Sequence, residues 1–361
     1  MNRRMKIALV GAGGMGRNHA ASMDGSELVD LVAVCDSVRE NADFVSKEYE
    51  VPAFGEMGEM LATVECDGVL IATPHPHHLE ATRFAFDLGK HVLVEKPLAV
   101  KISDALAMVE AHKEAEKKQG RLVFSAMFQQ RTYGYWKKIK ELIDSGALGR
   151  LIRTTWIITD WYRTQAYYDS GGWRATWRTE GGGVLMNQAP HQVDLYQWFA
   201  GRPRRLTAIA GFGKYHRIEV EDEVSIILEH ADGMIGHLIS STAESPGTNR
   251  LEIVGEKVSL VFEKEKLSRV ETDESVLRFI ETSEERFVHV GHQESEVAYE
   301  HHGEMGHRFI IDDFAQAWRS GKEPIAPAAE GLVALEIANA SIMSAVEKRS
   351  VELPLDAAAY D

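Results

Sequence analysis

The sequence predicts an α/β protein in two parts: an N-terminal doubly wound parallel sheet, then an α+β region built on a large, mainly antiparallel sheet. Three observations carry this. Over the first third of the chain, short apolar runs alternate with helix-length amphipathic stretches, the pattern of parallel βαβ units with both sheet faces covered. The glycine-rich run Gly11-Ala-Gly13-Gly-Met-Gly16 follows the first apolar run directly. After Phe128, strand-like runs separated by turn residues take over.

In order, the first part carries strand-like Ile7–Val10, Leu28–Cys35, Gly68–Ala72, His91–Val94 and Leu122–Ala126, with helical Val38–Tyr49, His78–Leu88 and Ser103–Lys118 among them. A helix over Tyr133–Asp144 opens the second part and ends at Ser145-Gly146. The runs Leu151–Trp161, Arg205–Phe212, Glu223–Leu228, Met234–Ser240, Arg250–Val254 and Val258–Phe262 follow, with Ala231-Asp232-Gly233 and Gly255-Glu256-Lys257 as turns between strands. Lys264–Glu300 is highly charged and poorly periodic, which reads as edge strands and exposed loops. Helices near His307–Ser320 and Ala328–Lys348 close the chain. A boundary near residue 127 divides a 1–127 domain from a 128–361 domain, whose C-terminal helix is free to pack back on the first.

The 361 residues match two or three domains at roughly 150 residues each. A formal charge of -15 argues against a nucleic-acid partner and against docking on anionic lipid. No run approaches the roughly 18 to 20 apolar residues of a membrane helix, and the basic start with its short apolar run does not read as a signal peptide. The cytoplasm is the expected compartment. Two cysteines, Cys35 and Cys66, are too few for a disulfide framework and read as small buried hydrophobes.

The glycine loop has the context its chemistry needs, a strand before it and a helix after it. Gly11 permits the tight turn, Gly13 lets a pyrophosphate approach the backbone, and Gly16 allows close packing. Gly14 and Met15 open the helix, whose unpaired N–H groups form an anion site. Asp36 stands twenty residues after Gly16, where a carboxylate accepts from the adenosine ribose hydroxyls and repels a 2′-phosphate. The expected cofactor is therefore NAD rather than NADP, with Arg39 the residue that weakens that preference. As a purely structural residue, Asp36 would serve the turn before Val38.

Thr73-Pro-His-Pro-His-His78, followed by Gly89-Lys-His-Val-Leu-Val-Glu95-Lys96-Pro97, is a more specific pattern. With Arg17-Asn18-His19, the run Gly181-Gly-Gly-Val-Leu-Met-Asn187-Gln-Ala-Pro-His191-Gln-Val-Asp194 and a helix like Phe309–Gly321, it resembles the glucose–fructose oxidoreductase / inositol dehydrogenase / rhizopine-catabolism (Gfo/Idh/MocA) family of NAD(P)-dependent sugar oxidoreductases. The resemblance implies a Rossmann domain joined to a larger sheet domain that builds homodimers or homotetramers. It implies that Thr73, Pro74, His75, His78, Glu95, Lys96 and Pro97 line the cofactor, with Glu95 and Lys96 beside the nicotinamide and the peptide before Pro97 often cis. His75 is a departure, since relatives commonly carry asparagine after Thr-Pro.

Lys96 follows a buried strand at the carboxyl edge, where such sheets bind ligands, and a cation there stabilises a developing alkoxide. Its plainer role is a pair with Glu95. Asn187 and His191 lie four residues apart, on one face if helical, with Pro190 acceptable in a first turn. His191 is the candidate general base; its plainer role is a buried structural histidine, and that of Asn187 an N-cap. Many relatives carry aspartate at the position of Asn187. An amide orients a ring or a hydroxyl but takes no proton, which shifts the acid–base work to Lys96 and His191.

Four of the seven tryptophans lie between Trp156 and Trp177, together with Tyr162, Tyr167 and Tyr168. Trp161, Tyr162, Arg163, Trp173 and Gln188 are the candidate sugar contacts beside Lys96, Asn187 and His191, and an oligomer interface would use the same residue types. The histidines at 75, 77 and 78, and the group His301, His302, Glu304 and His307, invite a metal reading. Neither completes a recognisable ligand set, so no metal is expected. The expected reaction is hydride transfer between nicotinamide and a ring carbon of a sugar or glycoside, and the resemblance around Gly181–Trp198 implies a secondary ring hydroxyl or ketone, with C3 a candidate carbon. An inositol dehydrogenase, an NAD-retaining redox-assisted glycosidase and a non-catalytic dinucleotide-sensing regulator are the alternatives.

Overall fold

The computed structural model describes residues 3–172, 174–300 and 306–360. They form two compact units, Met1–Thr132 with Gly303–Leu335, and Tyr133–His302 with Glu336–Tyr360. Residues 306–335, which the sequence assigns to the second part, thus cluster with the first, while 336–360 stay with the second.

In chain order the first unit begins β1 (Met5–Val10), α1 (Gly14–Asp24), β2 (Val29–Cys35), α2 (Arg39–Tyr49), β3 (Ala53–Phe54), α3 (Met57–Thr63), β4 (Gly68–Ile71), α4 (His78–Asp87), β5 (His91–Val94), α5 (Ile102–Gln119) and β6 (Phe124–Ala126). The sheet is parallel throughout, in the order β3-β2-β1-β4-β5-β6. Direction reverses at β1, so the glycine loop sits at the switch point where such sheets bind ligands. The strands are apolar because helices cover both faces: Ile7, Ala8, Leu9, Val69, Leu70, Ile71, Val92, Leu93 and Val94 have no exposed surface. The sequence pattern missed β3 and α3; two and seven residues are too short to show a period.

The second unit starts with α6 (Gly134–Asp144), β7 (Leu151–Ile158), α7 (Gln165–Asp169), a π-turn over Val184–Gln188, α8 (Pro190–Ala200), β8 (Arg205–Phe212), β9 (Glu221–Glu229) and β10 (Ile235–Ser241). It continues with β11 (Asn249–Gly255), β12 (Val258–Glu263), β13 (Lys266–Thr272), α9 (Val276–Thr282) and β14 (His292–Glu296). Helix α10 (His307–Ser320) belongs to the first unit, and α11 (Ala328–Glu347), divided between the two after Leu335, leads to β15 (Val351–Glu352) and α12 (Ala357–Tyr360) of the second. Nine strands form one sheet in the order β14-β13-β12-β11-β7-β10-β9-β8-β15. All pairs are antiparallel except β7 with β10. The central strands alternate, burying Trp156, Ile158, Ile226, Leu228 and Leu238 on one face while Ile209, Ile227 and Ile235 stay exposed on the other.

Two expectations change here. Lys264–Glu300 holds a helix, α9, beside its edge strands. Helix α11 is long and apolar enough to cross a membrane by length and composition, which the search for an unbroken apolar run overlooked; 67% of its most apolar window is buried within the protein, as in a core helix.

Candidate active site

In the first unit the strand ends are laced together. Gly11 N–H donates to the Cys35 carbonyl at 2.8 Å, Ala72 N–H to Val10 at 2.7 Å and Glu95 N–H to Ile71 at 2.9 Å. Gly11 has φ +91°, and a side chain there would lie 2.6 Å from the Ala72 carbonyl oxygen. A Cβ on Gly16 would lie 2.0 Å from the Gly11 carbonyl oxygen, so this glycine is demanded by the turn of its own loop more than by the strand. Around the Cβ positions of Gly13 and Gly14 nothing lies within 4 Å, and α1 starts there with neither a side-chain cap nor an acidic residue in its first turn. Exposed Met15 follows. The helix start is left for an anion.

Asp36 is half-buried, and its carboxylate accepts from Ala12 N–H at 2.7 Å and Val38 N–H at 2.8 Å. The turn-forming role and the ribose-binding role therefore share one side chain, because each carboxylate oxygen has a second lone pair. Arg39 is exposed and pairs with Asp43 at 2.8 Å one helical turn on. Both observations favour NAD over a 2′-phosphorylated cofactor.

At the end of β5, Glu95 is buried. One oxygen meets His19 Nε2 at 2.6 Å; the other accepts the Lys96 amide N–H at 2.9 Å. Burial alone would push this carboxyl up, but the His19 hydrogen bond and the nearby charges outweigh it and hold it down at about 2. The His307 ring lies 5.0 Å from that of His19, and burial pushes His307 down to about 4. Lys96 is half-buried, and the peptide joining it to the buried Pro97 is cis.

His78 is fully buried at the start of α4, with Nε2 2.9 Å from the Thr73 carbonyl and Nδ1 3.1 Å from that of Leu98. Burial lowers its pKa. It ties the loop after β4 to the loop after β5, a bracing role, where the sequence suggested cofactor contact. Pro74 is exposed, His75 is half-buried with its ring 5.7 Å from that of His78, and Thr73 Oγ1 is buried without a hydrogen-bond partner. An open helix start, a carboxylate at the end of β2 and an orphaned hydroxyl along one sheet edge fit a dinucleotide.

The second unit carries the other polar group of residues, and there the local structure differs from expectation. Asn187 belongs to the π-turn, whereas His191 is the second residue of α8, so the two are not on one regular helix. The N-cap of α8 is Ala189, and Pro190 occupies its first position. The π-turn has its own anchor. Buried Glu221 accepts from Gly183 N–H at 2.9 Å and Leu185 N–H at 3.0 Å, taking up donors that a helix start leaves unpaired. A Cβ on Gly183 would lie 1.9 Å from the Glu221 carbonyl oxygen. Burial, reinforced by the charge of Glu180, pushes the Glu221 carboxyl up to about 7 against the pull of those N–H groups.

Asn187 Nδ2 donates to Glu180, a side chain with 2% exposure that also accepts the Ala175 N–H at 2.5 Å. Asn187 Oδ1 lies 3.4 Å from the Tyr167 hydroxyl, which accepts from Arg174 at 2.8 Å and from Gln188 Nε2 at 3.2 Å. Arg163 lies over the rings of Trp161 and Tyr167 at 5.4 and 5.0 Å. His191 and Gln188 are buried, and Tyr162 is half exposed. Trp173, His301, His302 and Glu304 fall outside the described residues.

The aromatic-rich stretch divides on folding. Trp156 is core, 5.2 Å from the Trp136 ring, and buried Tyr168 packs with Ala175 and Val220. Glu180 and Glu221 escaped the sequence reading. Glu180 directly precedes the triple glycine, which was the one available signal; Glu221 gave none. Among the described residues no three histidine, cysteine or acidic side chains gather to hold a metal ion. Both cysteines are buried thiols, and burial pushes Cys35 up to about 11.

Residues 5–125 match the oxidoreductase family with an NAD-binding Rossmann fold, and residues 136–261 match the GFO/IDH/MocA C-terminal domain. Among solved structures, the WlbA dehydrogenase from Bordetella pertussis in complex with NADH and UDP-GlcNAcA superposes with a TM-score of 0.80 at 27% identity, covering 98% of this chain and 100% of that one. The levoglucosan dehydrogenase of Pseudarthrobacter phenanthrenivorans is 25% identical over 73% of this chain and 75% of its own. An inositol 2-dehydrogenase of Streptomyces avermitilis is 34% identical over 42% of this chain and 43% of its own.

Proposed function

The chain belongs to the Gfo/Idh/MocA oxidoreductase family and is an NAD-binding oxidoreductase; from that premise we propose that it oxidises a secondary ring hydroxyl of a sugar or glycoside, or reduces the corresponding ketone. The observation that carries this reading is Lys96, held by its amide on buried Glu95 at the end of β5, on the same sheet edge as the glycine loop. Similarity to enzymes of levoglucosan, inositol and a nucleotide-linked sugar supports the substrate class. C3 of a pyranoside is the carbon we favour, and a cyclitol is the nearest rival substrate.

The backbone N–H groups of Gly13, Gly14 and Met15 would hold the pyrophosphate, Asp36 the adenosine ribose, and Thr73 with the Glu95–Pro97 segment the nicotinamide end. When bound, NAD supplies the hydride acceptor. In the oxidation direction the Lys96 ammonium hydrogen-bonds the reacting hydroxyl and stabilises the developing alkoxide. His191 takes the hydroxyl proton as general base. Asn187 and Gln188 orient the ring through its other hydroxyls, with Trp161, Tyr162 and Arg163 offering flat faces and a cation.

The test is NADH absorbance over a panel of glucose, methyl glucosides, levoglucosan and inositols, with Lys96→Ala and His191→Ala beside the wild type. Turnover of at least one pyranoside, lost in both variants, is the expected result. Tight NAD binding with no turnover anywhere on the panel would overturn the substrate class, and unchanged turnover in Lys96→Ala would overturn the site.

A homodimer or homotetramer through the outer face of the second sheet is part of the same reading. Ile209 is 78% exposed, and Ile227 and Ile235 on the next two strands extend the apolar surface. Light scattering should give a multiple of the chain mass, falling to the monomer in Ile209→Lys. The cytoplasm is the compartment proposed, supported by two unpaired thiols, and cell fractionation checks it.

A further inference from the structure

We infer that Glu180 is a positioning carboxylate that fixes the Asn187 amide with its carbonyl oxygen turned toward the Tyr167 hydroxyl, so that this part of the site selects its ligand by hydroxyl hydrogen bonding. The inference rests on the reading of Asn187 as a substrate residue.

An amide has one donor end and one acceptor end of nearly the same shape, and nothing in asparagine itself chooses between its two orientations. Glu180 makes the choice. A carboxylate accepts and does not donate, so it binds Nδ2 of Asn187 and sends Oδ1 the other way. Two features hold Glu180 in that role. It is 2% exposed, and its second oxygen is tied to the Ala175 N–H at 2.5 Å, so the side chain cannot swing aside into water. Oδ1 then lies 3.4 Å from the Tyr167 hydroxyl, whose oxygen already accepts from Arg174 at 2.8 Å and Gln188 at 3.2 Å. The Tyr167 proton is thereby directed at Asn187. The chain of donors runs from Arg174 and Gln188 through Tyr167 to Asn187 and ends at the charge of Glu180. Each polarity in the hub follows from the one group that is acceptor-only.

A flipped amide at 187 would turn its N–H donors toward the Tyr167 hydroxyl, where a donor already points, and its oxygen toward the carboxylate of Glu180. Glu180 thus sets whether a ring hydroxyl meets an acceptor or a clash of protons. It also keeps the negative charge on Glu180, so that residue 187 itself meets the ligand as a neutral amide.

The test is a swap. Glu180→Gln and Asn187→Asp each break the donor–acceptor match with almost no change of volume. The double variant restores the match with the roles exchanged, the new amide at position 180 donating to the new carboxylate at position 187. Kinetics are measured with the panel sugar that turns over fastest. Each single change should raise KM for the sugar about tenfold, the size of one charge-assisted hydrogen bond, with kcat less affected and NAD affinity unchanged. The double variant should recover most of that loss, a non-additivity that a merely structural glutamate would not show. Wild-type KM in Glu180→Gln, or simple additivity in the pair, overturns the inference. Asn187→Ala separates the two claims: if it is silent, the reading of Asn187 falls and the inference with it, whereas a large loss in Asn187→Ala beside a silent Glu180→Gln sinks the inference alone. Melting temperature reports folding, and Asn187→Asp, on a half-buried side chain, carries the same test if Glu180→Gln does not fold.

Discussion

The two units build their polar sites from opposite materials. In the first, main-chain groups form the anion site: free N–H groups at the start of α1, a loop shaped by Gly11 and Gly16, and strand ends laced by amide hydrogen bonds. In the second, side chains form the polar cluster: Tyr167, Arg174, Glu180, Asn187 and Gln188 come from α7, an irregular stretch and a π-turn that Glu221 on β9 anchors. A main-chain site tolerates one kind of residue at its tight points. A side-chain site distributes its requirements over groups that constrain each other. The first therefore leaves a spacing in the sequence, and the second leaves almost none.

The contrast can be broken most sharply at Lys96, the side chain to which the first unit gives the chemical step. Lys96→Ala should lower kcat by about 10²–10³ in steady-state assays, the effect of removing one donor from a developing oxyanion, while NAD still protects the protein against thermal unfolding. If cofactor binding disappears with the lysine, that unit is no main-chain site after all.

The glycines sharpen the point, because they separate folding from binding. Gly11→Ala places a side chain at φ +91° and 2.6 Å from the Ala72 oxygen, so both melting temperature and NAD affinity should fall. Gly13→Ala meets nothing within 4 Å and sits at φ -64°, so it should leave the melting temperature alone while weakening NAD about tenfold in a fluorescence titration. Equal melting losses in the two would remove the distinction. Asp36→Ala should cost NAD a similar or smaller factor and narrow its preference over NADP, since one charged acceptor is lost.

The smallest effect is a matter of pH and distinguishes the two buried carboxylates. Glu221 is raised from 4.5 to about 7, so the folded protein keeps a proton that the unfolded chain releases; its contribution to stability declines as pH rises from about 4.5 to 7. Glu95 is depressed from 4.5 to about 2, so its contribution is complete above about 4.5 and fades as pH falls toward 2. Melting curves between pH 5 and 8 should therefore show a declining component that is absent in Glu221→Gln and untouched in Glu95→Gln. A Glu221→Gln profile that keeps the wild-type slope would contradict the assignment.

Legibility in the sequence followed the range of the causes. The strands of the first sheet showed as apolar runs because helices cover both of their faces, and those of the second showed as runs set apart by turn residues, because short turns join antiparallel neighbours. The two-residue β3 and the α9 excursion were too short or too charged to register. The loop geometry of Gly11 and Gly16 and the places of Asp36 and Lys96 at the ends of their strands were legible, since each follows from adjacent residues. The pairing of Asn187 with His191 on one helix could not survive, because a buried glutamate 34 residues downstream winds the intervening turn as a π-helix. The tryptophan-rich stretch was likewise split by folding, with Trp156 sent to the core.

By itself, the sequence determined the fold class, the family, the glycine loop and the Glu95-Lys96-Pro97 segment. Each of these depends on backbone conformations or burial patterns that neighbouring residues dictate. Only the tertiary structure decided that His78 braces two loops, that His19 holds Glu95 ionised, and that Asn187 answers to Glu180. Those outcomes hang on which donor finds which acceptor once distant segments are packed and water is gone, and hydrogen-bond polarity has no period along a chain.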